Sequence, residues 1–409
     1  MAKDLPEDLE IATRLATVGR RAEWTGIPGQ PGAVVSPAVW RASTHLYPSV
    51  AALREGQKTN TDGKFYYGRR GAPTQWALAE ALTQLEPGAA GTMLYPAGET
   101  AVIGALLTVL RPGDVLLQTD NAYEPSRTFA ERFLKEFGVE TRWFDPTSPT
   151  ALDDLICPRC KAILLESPGS LTMEVQDVPA LTAKAKAHGI TVILDNTWAS
   201  SLGFQALAHG VDISVMSLTK HVGGHSDLML GSATAGEHWY RQLRLTSQVM
   251  ANFASPDDCS LALRGLRTMG LRLAQETSSA LEIAKWLESR GEVARVLCPM
   301  LPGSPGHEIW ARDFTGGCGL FSFVFKGKDS AARDAFIDAL SLFGIGYSWG
   351  GFESLATPID PASIRTASAW PLPGMDSADR FGVRLSIGLE APADLIADIE
   401  RGLAAWAAA

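Results

Sequence analysis

The chain has 409 residues, of which 46% are apolar and 20% charged, with 36 Lys and Arg against 45 Asp and Glu. That length suits two or three domains with large buried cores, and the composition is that of an ordered globular protein rather than a disordered chain. The net charge of −9 argues against nucleic-acid binding as the main function, and no apolar run approaches the about 20 residues of a membrane span.

Residues 1 to about 62 read as an N-terminal arm. The opening stretch, MAKDLPEDLEIATRLATVGRRAEW, sets acids beside its first bases and has no continuous apolar segment, so it is not expected to act as a secretory signal. From 63 to about 255 a large α/β domain is expected. Within it QWALAEALTQLE reads as a helix, GTMLYPAG as a strand running into a glycine turn, and ETAVIGALLTVL as a helix that stops at RPGD. DVLLQT, SRTFAERFLKEFG, TRWFD, KAILLES, VPALTAKAKAHG, ITVILDN and DISVMSL continue the alternation. Short Val, Ile and Leu runs between amphipathic helices predict a mostly parallel sheet covered on both faces. A long helical region from about 256 to 289 opens the segment 256–409. There FSFVF, DAFIDALSLFG, VRLSIGLE and ADLIADIERGLAAW predict a smaller C-terminal α/β domain.

Five cysteines, an odd number without a dense framework, fit a reducing cytoplasm. Cys157 and Cys160 form a CxxC with no second pair at zinc-finger spacing. They read as two cysteines entering a buried strand, with a zinc or redox role as the other reading. No metal site is expected.

Ligands of such sheets collect beyond the carboxyl ends of the strands, which directs attention to Gly98, Tyr123, Asp195 and Lys220. Lys220 follows Ser217 and Thr219, so an amine able to condense with an aldehyde stands beside two hydroxyls able to donate to a phosphate. The plain alternative is a lysine capping a loop. Asp195 closes an apolar run, where a carboxylate is costly without a cationic partner; a protonated pyridine nitrogen is one such partner, and a turn aspartate is the alternative. Gly98 stands where a strand enters a helix, a position that suits a phosphate or simply a tight turn. Tyr123 either lies flat on a cofactor ring or belongs to the core. Arg384, inside an apolar strand, needs a planar anion, either a substrate carboxylate or a structural acid.

Taken together, FYYGRRGAPT, LYPAGETAV, NAYEPSR, LLESPGSLTMEVQDVP, ILDNTWAS, SLTKHVGGHSD, RDFTGGCGLFSF, YSWGGFESL and RLSIGLE occur in order along the chain. This chain resembles the Cys/Met-metabolism family of fold-type I pyridoxal-phosphate enzymes, from about residue 10 to 405. NAYEPS, ESPGS, NTWA and YSWGG point to its β-eliminating carbon–sulfur lyase branch. The resemblance implies a seven-stranded-type sheet and pyridoxal 5'-phosphate as cofactor. It makes Lys220 the Schiff-base lysine and general base, Asp195 the partner of the pyridine nitrogen, and Tyr123 the residue stacked on the ring and a proton donor to the leaving sulfur. The backbone at Gly98 and Glu99, with Ser217 and Thr219, would hold the phosphate, joined from a neighbouring subunit by Arg69 and by Tyr67, which the resemblance also counts among the catalytic residues. Arg384, with Ser348 and Trp349, would grip the substrate carboxylate.

The implied substrate is a sulfur amino acid, with L-cystathionine yielding homocysteine, pyruvate and ammonia. L-Cysteine and cystine are expected side substrates. The implied assembly is a homo-oligomer, a tetramer built as a dimer of dimers. A γ-active relative and a non-catalytic binding protein of the same fold are the competing expectations. Two residues depart from the family pattern: Glu99, where relatives more often carry a small or apolar side chain, and His221, where a tyrosine often follows the lysine.

Overall fold

The structure is a computed structural model that describes residues 9–27, 29–59, 63–148 and 150–409. The first eight residues of the expected arm lie outside the described residues. In chain order the strands are β1 (Gly91–Tyr95), β2 (Val115–Thr119), β3 (Glu140–Phe144), β4 (Cys160–Glu166), β5 (Thr191–Asp195), β6 (Ile213–Ser217), β7 (Gly231–Ala235), β8 (Val293–Leu297), β9 (Leu320–Phe325), β10 (Gly344–Ile345), β11 (Leu355–Ile359) and β12 (Gly382–Ser386). The longer helices are α1 (Pro73–Leu85), α2 (Gly98–Val109), α3 (Val178–Ala187), α4 (Glu237–Val249), α5 (Pro256–Leu266), α6 (Met269–Glu288) and α7 (Pro392–Ala408).

One mixed sheet of seven strands runs in the order β1-β7-β6-β5-β4-β2-β3, and a second sheet of five in the order β10-β11-β12-β9-β8. This is the expected α/β fold with a smaller second sheet. The chain divides into two compact units, each discontinuous in sequence: residues 1–108 with 212–270, and residues 109–211 with 271–409.

In the first unit β7 pairs antiparallel with both β1 and β6, so that Gly231 stands opposite Tyr95 on one side and Ser217 on the other. The helix α1 starts at Pro73, whose missing N–H costs nothing in the first turn. Just before it the Gln75 side chain accepts the Ala72 N–H at 3.1 Å, one half of a capping box. Ala77, Leu78, Ala81, Leu82 and Leu85 are buried along α1, which packs on β1 and α5.

In the second unit β5, β4, β2 and β3 are all parallel. Ile163, Leu164, Leu165, Val192, Ile193 and Leu194 are all buried. Consecutive burial of this kind is what a parallel strand covered on both faces requires. The smaller sheet is antiparallel except for the β10–β11 pair. The whole of β9 is buried, and its Phe325 stacks on Trp406 of α7 with ring centroids 5.3 Å apart. Among the described residues no helix is long and apolar enough to cross a membrane.

Candidate active site

In the first unit the turn between β1 and α2 is pressed against the ends of β6 and β7. A Cβ added at Gly98 would stand 2.5 Å from the Ser217 Cβ and 2.6 Å from its Oγ, and one at Gly231 would stand 2.2 Å from the Ala97 carbonyl oxygen. No side chain fits at either position, so both must be glycine. The Ser217 hydroxyl therefore lies against the first residue of a twelve-residue helix, where unpaired N–H groups and the helix dipole favour an anion.

Lys220 follows three residues later in a tight loop. Its N–H donates to the Ser217 carbonyl at 3.2 Å, and its carbonyl accepts the Gly224 N–H at 2.8 Å. Thr219 ties the loop to the segment ahead of β7: its Oγ1 accepts the Leu230 N–H at 3.0 Å. From behind, Gly265 of α5 approaches so closely that a Cβ there would meet the Val222 and Gly223 carbonyls at 2.2 and 2.4 Å. The lysine is thus carried on a backbone fixed from two sides. His221 is buried at 2% exposure, so its ring belongs to the packing of this loop. Glu99 is an acid in the first turn of α2, where the dipole favours a carboxylate.

Tyr67 and Arg69 lie on a surface turn of the same unit, held by the close approach of Gly68 to the Ala42 carbonyl. The Arg69 Nη1 donates to the Gln248 carbonyl at 2.8 Å. Arg69 also lines a cavity of about 620 Å³ together with Trp76, Tyr240, Arg241 and Arg244, and that cavity is not lined by Gly98, Ser217, Thr219 or Lys220. Within this chain, then, Gly98 and Ser217 come together and Arg69 is engaged elsewhere.

In the second unit Asp195 is the last residue of β5, and its Oδ1 accepts the Thr197 N–H at 3.0 Å and the Thr197 hydroxyl. Tyr123 follows β2 with its ring half-exposed, and its N–H donates to Glu166 Oε2 at 2.7 Å. Arg384 sits in β12 opposite Thr357 and Ser322. Burial lowers its pKa, while Tyr123 and Tyr347 stand close enough to push it back up. Its Nη2 donates to the Ser348 carbonyl at 3.3 Å. Ser348 holds φ at +87°, a backbone conformation that costs a non-glycine residue energy and that collects at functional sites. Trp349 follows it, half-buried. Tyr123, Arg384 and Ser348 thus form one neighbourhood in this unit.

Several residues of this neighbourhood escaped the sequence reading. Glu166 ends β4 after an apolar run as Asp195 ends β5, and the two face each other in register, so the same signal was present in the sequence. Asp120, just beyond β2, accepts hydrogen bonds from the Thr366, Ala367 and Ser368 N–H groups at 2.8–3.1 Å, from the Thr366 and Ser368 hydroxyls, and from Arg127 at 3.0 Å. Desolvation alone would raise its pKa, but these donors hold it well below the usual carboxylate range. A second buried pair, Arg365 and Glu174 at 2.9 Å, fastens the same loop. These partners lie about 190 to 250 residues apart, a distance that no local pattern can bridge.

The chain matches the family described as "Cys/Met metabolism PLP-dependent enzyme" over residues 25–404. It is 42% identical to the cystathionine beta-lyase MetC of Escherichia coli over 97% of this chain and 99% of that protein. A cystathionine beta-lyase of Salmonella typhimurium gives the same identity and coverage. Among solved structures, a cystathionine gamma synthase of Xanthomonas oryzae in complex with cystathionine superposes with a TM-score of 0.86 at 32% identity, covering 99% of this chain and 100% of that one.

Proposed function

Since the chain belongs to the Cys/Met metabolism family of PLP-dependent enzymes, we propose that it is a carbon–sulfur lyase that cleaves L-cystathionine by α,β-elimination to homocysteine, pyruvate and ammonia. The observation that carries this reading is local to the first unit. The anion cradle at Gly98 is closed by Ser217, and Lys220 stands three residues further along the same chain segment. A phosphate and an aldehyde borne on one molecule need such a pair, so the residues present fit pyridoxal phosphate.

When bound, the cofactor supplies an aldehyde carbon that takes up amines and a ring that draws electrons from the adjacent carbon. The backbone N–H groups of Gly98 and Glu99 and the hydroxyls of Ser217 and Thr219 would hold the phosphate, and Lys220 Nζ the aldehyde. The Lys220 amine would take the proton from the substrate α-carbon. Asp195, its Oδ1 already steadied by Thr197, would hold a proton on the ring nitrogen. Arg384 pairs its fork with the substrate carboxylate, assisted by Ser348 and Trp349. Tyr123 would stack on the cofactor ring and return a proton to the departing sulfur.

L-Cysteine and cystine share the sulfur at Cβ and are expected side substrates. The proposal keeps the arm at 1–62, the large domain at 63–255 and the C-terminal domain at 256–409. It also places the enzyme in the cytoplasm as a homotetramer in which Tyr67 and Arg69 of one subunit complete the phosphate site of the next. The engagement of Arg69 away from the Gly98 cradle supports that assignment.

The test is product analysis with L-cystathionine. Pyruvate with homocysteine is the expected result. 2-Oxobutyrate would make the protein a γ-active relative instead, the reading that the likeness to the gamma synthase structure favours. Lys220→Ala should lose at least about a thousandfold in kcat, the scale of a lost general base. In the unmodified holoprotein, borohydride should fix the pyridoxyl group on the peptide that contains Lys220.

A further inference from the structure

Cys160 is the first residue of β4, at the far end of the strand from Glu166, and Cys157 stands three residues before it; the reaction proposed above makes no use of either. The segment Cys157–Pro158–Arg159–Cys160 is a tight turn closed by the Cys160 N–H on the Cys157 carbonyl at 2.9 Å. Pro158 occupies the second position, where its fixed φ suits such a turn. The Cys157 N–H donates to Cys160 Sγ at 3.3 Å, and the two sulfurs are 3.6 Å apart. Turn closure keeps the two Cα atoms within about 7 Å. The step to a bonded S–S distance of about 2.0 Å then asks mainly for side-chain rotation.

The two thiols are unequal. Cys157 is half-buried and Cys160 is buried at 2% exposure. Desolvation works against the Cys157 thiolate, but the Arg159 N–H, the Cys160 thiol and the Arg142 guanidinium together bring its pKa below the ordinary thiol value. Desolvation raises that of Cys160. A less buried attacking sulfur thus stands beside a shielded resolving one. Among the described residues the pair belongs to no group of three or more Cys, His, Asp or Glu able to hold a metal ion. The closed turn and the 3.6 Å sulfur separation suit sulfur exchange.

We propose that Cys157 and Cys160 are a reversible dithiol–disulfide couple that reacts with low-molecular-weight disulfides. The Cys157 thiolate attacks one sulfur of the small disulfide, forming a mixed disulfide and expelling one small thiolate. The Cys160 thiol, giving up its proton, then attacks Cys157 Sγ and expels the second. Two protein S–H bonds and one small-molecule S–S bond become one protein S–S bond and two small-molecule S–H bonds. Two electrons pass from the protein to the oxidant.

The reduced holoprotein is incubated with oxidised glutathione, its remaining thiols are alkylated, and its mass and peptides are measured. The expected product lacks the mass of two hydrogens, with Cys157 and Cys160 protected together and both recovered by dithiothreitol. Cys259, Cys298 and Cys318 are buried, and desolvation raises the pKa of each thiol; they serve as unreactive controls within the same chain. Cys160→Ser should stop at one glutathionyl group on Cys157, and Cys157→Ser should leave Cys160 unmodified. The proposal is overturned if the unaltered protein keeps both thiols alkylatable. It is also overturned if that protein halts as a stable mixed disulfide at Cys157.

Discussion

At the scale of single residues the structure makes sharp demands at Gly98 and Glu276. Gly98→Ala places a methyl carbon 2.5 Å from the Ser217 Cβ, a clash with a strand end that can move only if β6 moves. A destabilisation of about 1–3 kcal/mol is expected, together with loss of bound cofactor. Urea unfolding and the visible absorbance of the purified protein would measure the two effects separately.

Glu276 of α6 is fully buried. Desolvation raises its carboxyl pKa from 4.5 to about 7, Glu353 adds to the shift, and Arg272 only partly offsets it. The folded protein therefore keeps a proton there that the unfolded chain has lost. This group's contribution is fully present below about pH 4.5 and declines as pH rises through about 7, by ~3 kcal/mol in all. Glu276→Gln should melt higher than the unaltered protein at about pH 8 and show a flatter profile down to about pH 5. Parallel pH dependences for the two proteins would remove this account.

At the scale of elements, one irregular segment is held as firmly as a strand. The loop at 365–368 spends its N–H groups and hydroxyls on Asp120 and its arginine on Glu174. Asp120 sits three residues before Tyr123, and Glu166 holds the Tyr123 N–H, so loop and tyrosine share one support. Asp120→Ala leaves Arg127 buried beside an empty acceptor position, and losing one partner of a buried pair costs about 3–5 kcal/mol. The loop should then become cleavable near Ser368, which limited proteolysis with mass mapping would reveal. Asp120→Asn keeps part of the acceptor set and should fall between the two. No such loop was legible in the sequence: Thr, Ala and Ser in a polar stretch carry no sign of a carboxylate some 250 residues earlier.

At the scale of the whole molecule, the apolar side chains exposed on the first unit and the trans role given to Tyr67 and Arg69 predict an oligomer. Leu46, Val50, Leu245 and Val249 are 84%, 61%, 60% and 77% exposed, a waste of apolar surface for a solitary chain. Light scattering should give a mass well above 43.7 kDa. Co-refolding Lys220→Ala with Arg69→Ala should restore activity that neither variant has alone, because a mixed pair contains one intact site. Absence of rescue in a confirmed hetero-oligomer would place Arg69 outside the phosphate site.

Most of the alternating helices and strands up to Ser217 and the family could be read from the sequence, because alternating apolar runs, glycine turns and contiguous motifs such as SLTKHVGGHSD are local; β7, β8, β10, β11 and the helix Glu237–Val249 were not read there. Tertiary structure alone decided that the chain packs as two units interleaved in sequence and that Gly98 meets Ser217. It alone showed that Asp120 and Glu174 fasten a loop from the far end of the chain, and that two sulfurs in a CxxC stand within reach of each other. Periodicity reports which face of an element is apolar; which remote atoms share a hydrogen bond depends on packing that only the folded chain fixes.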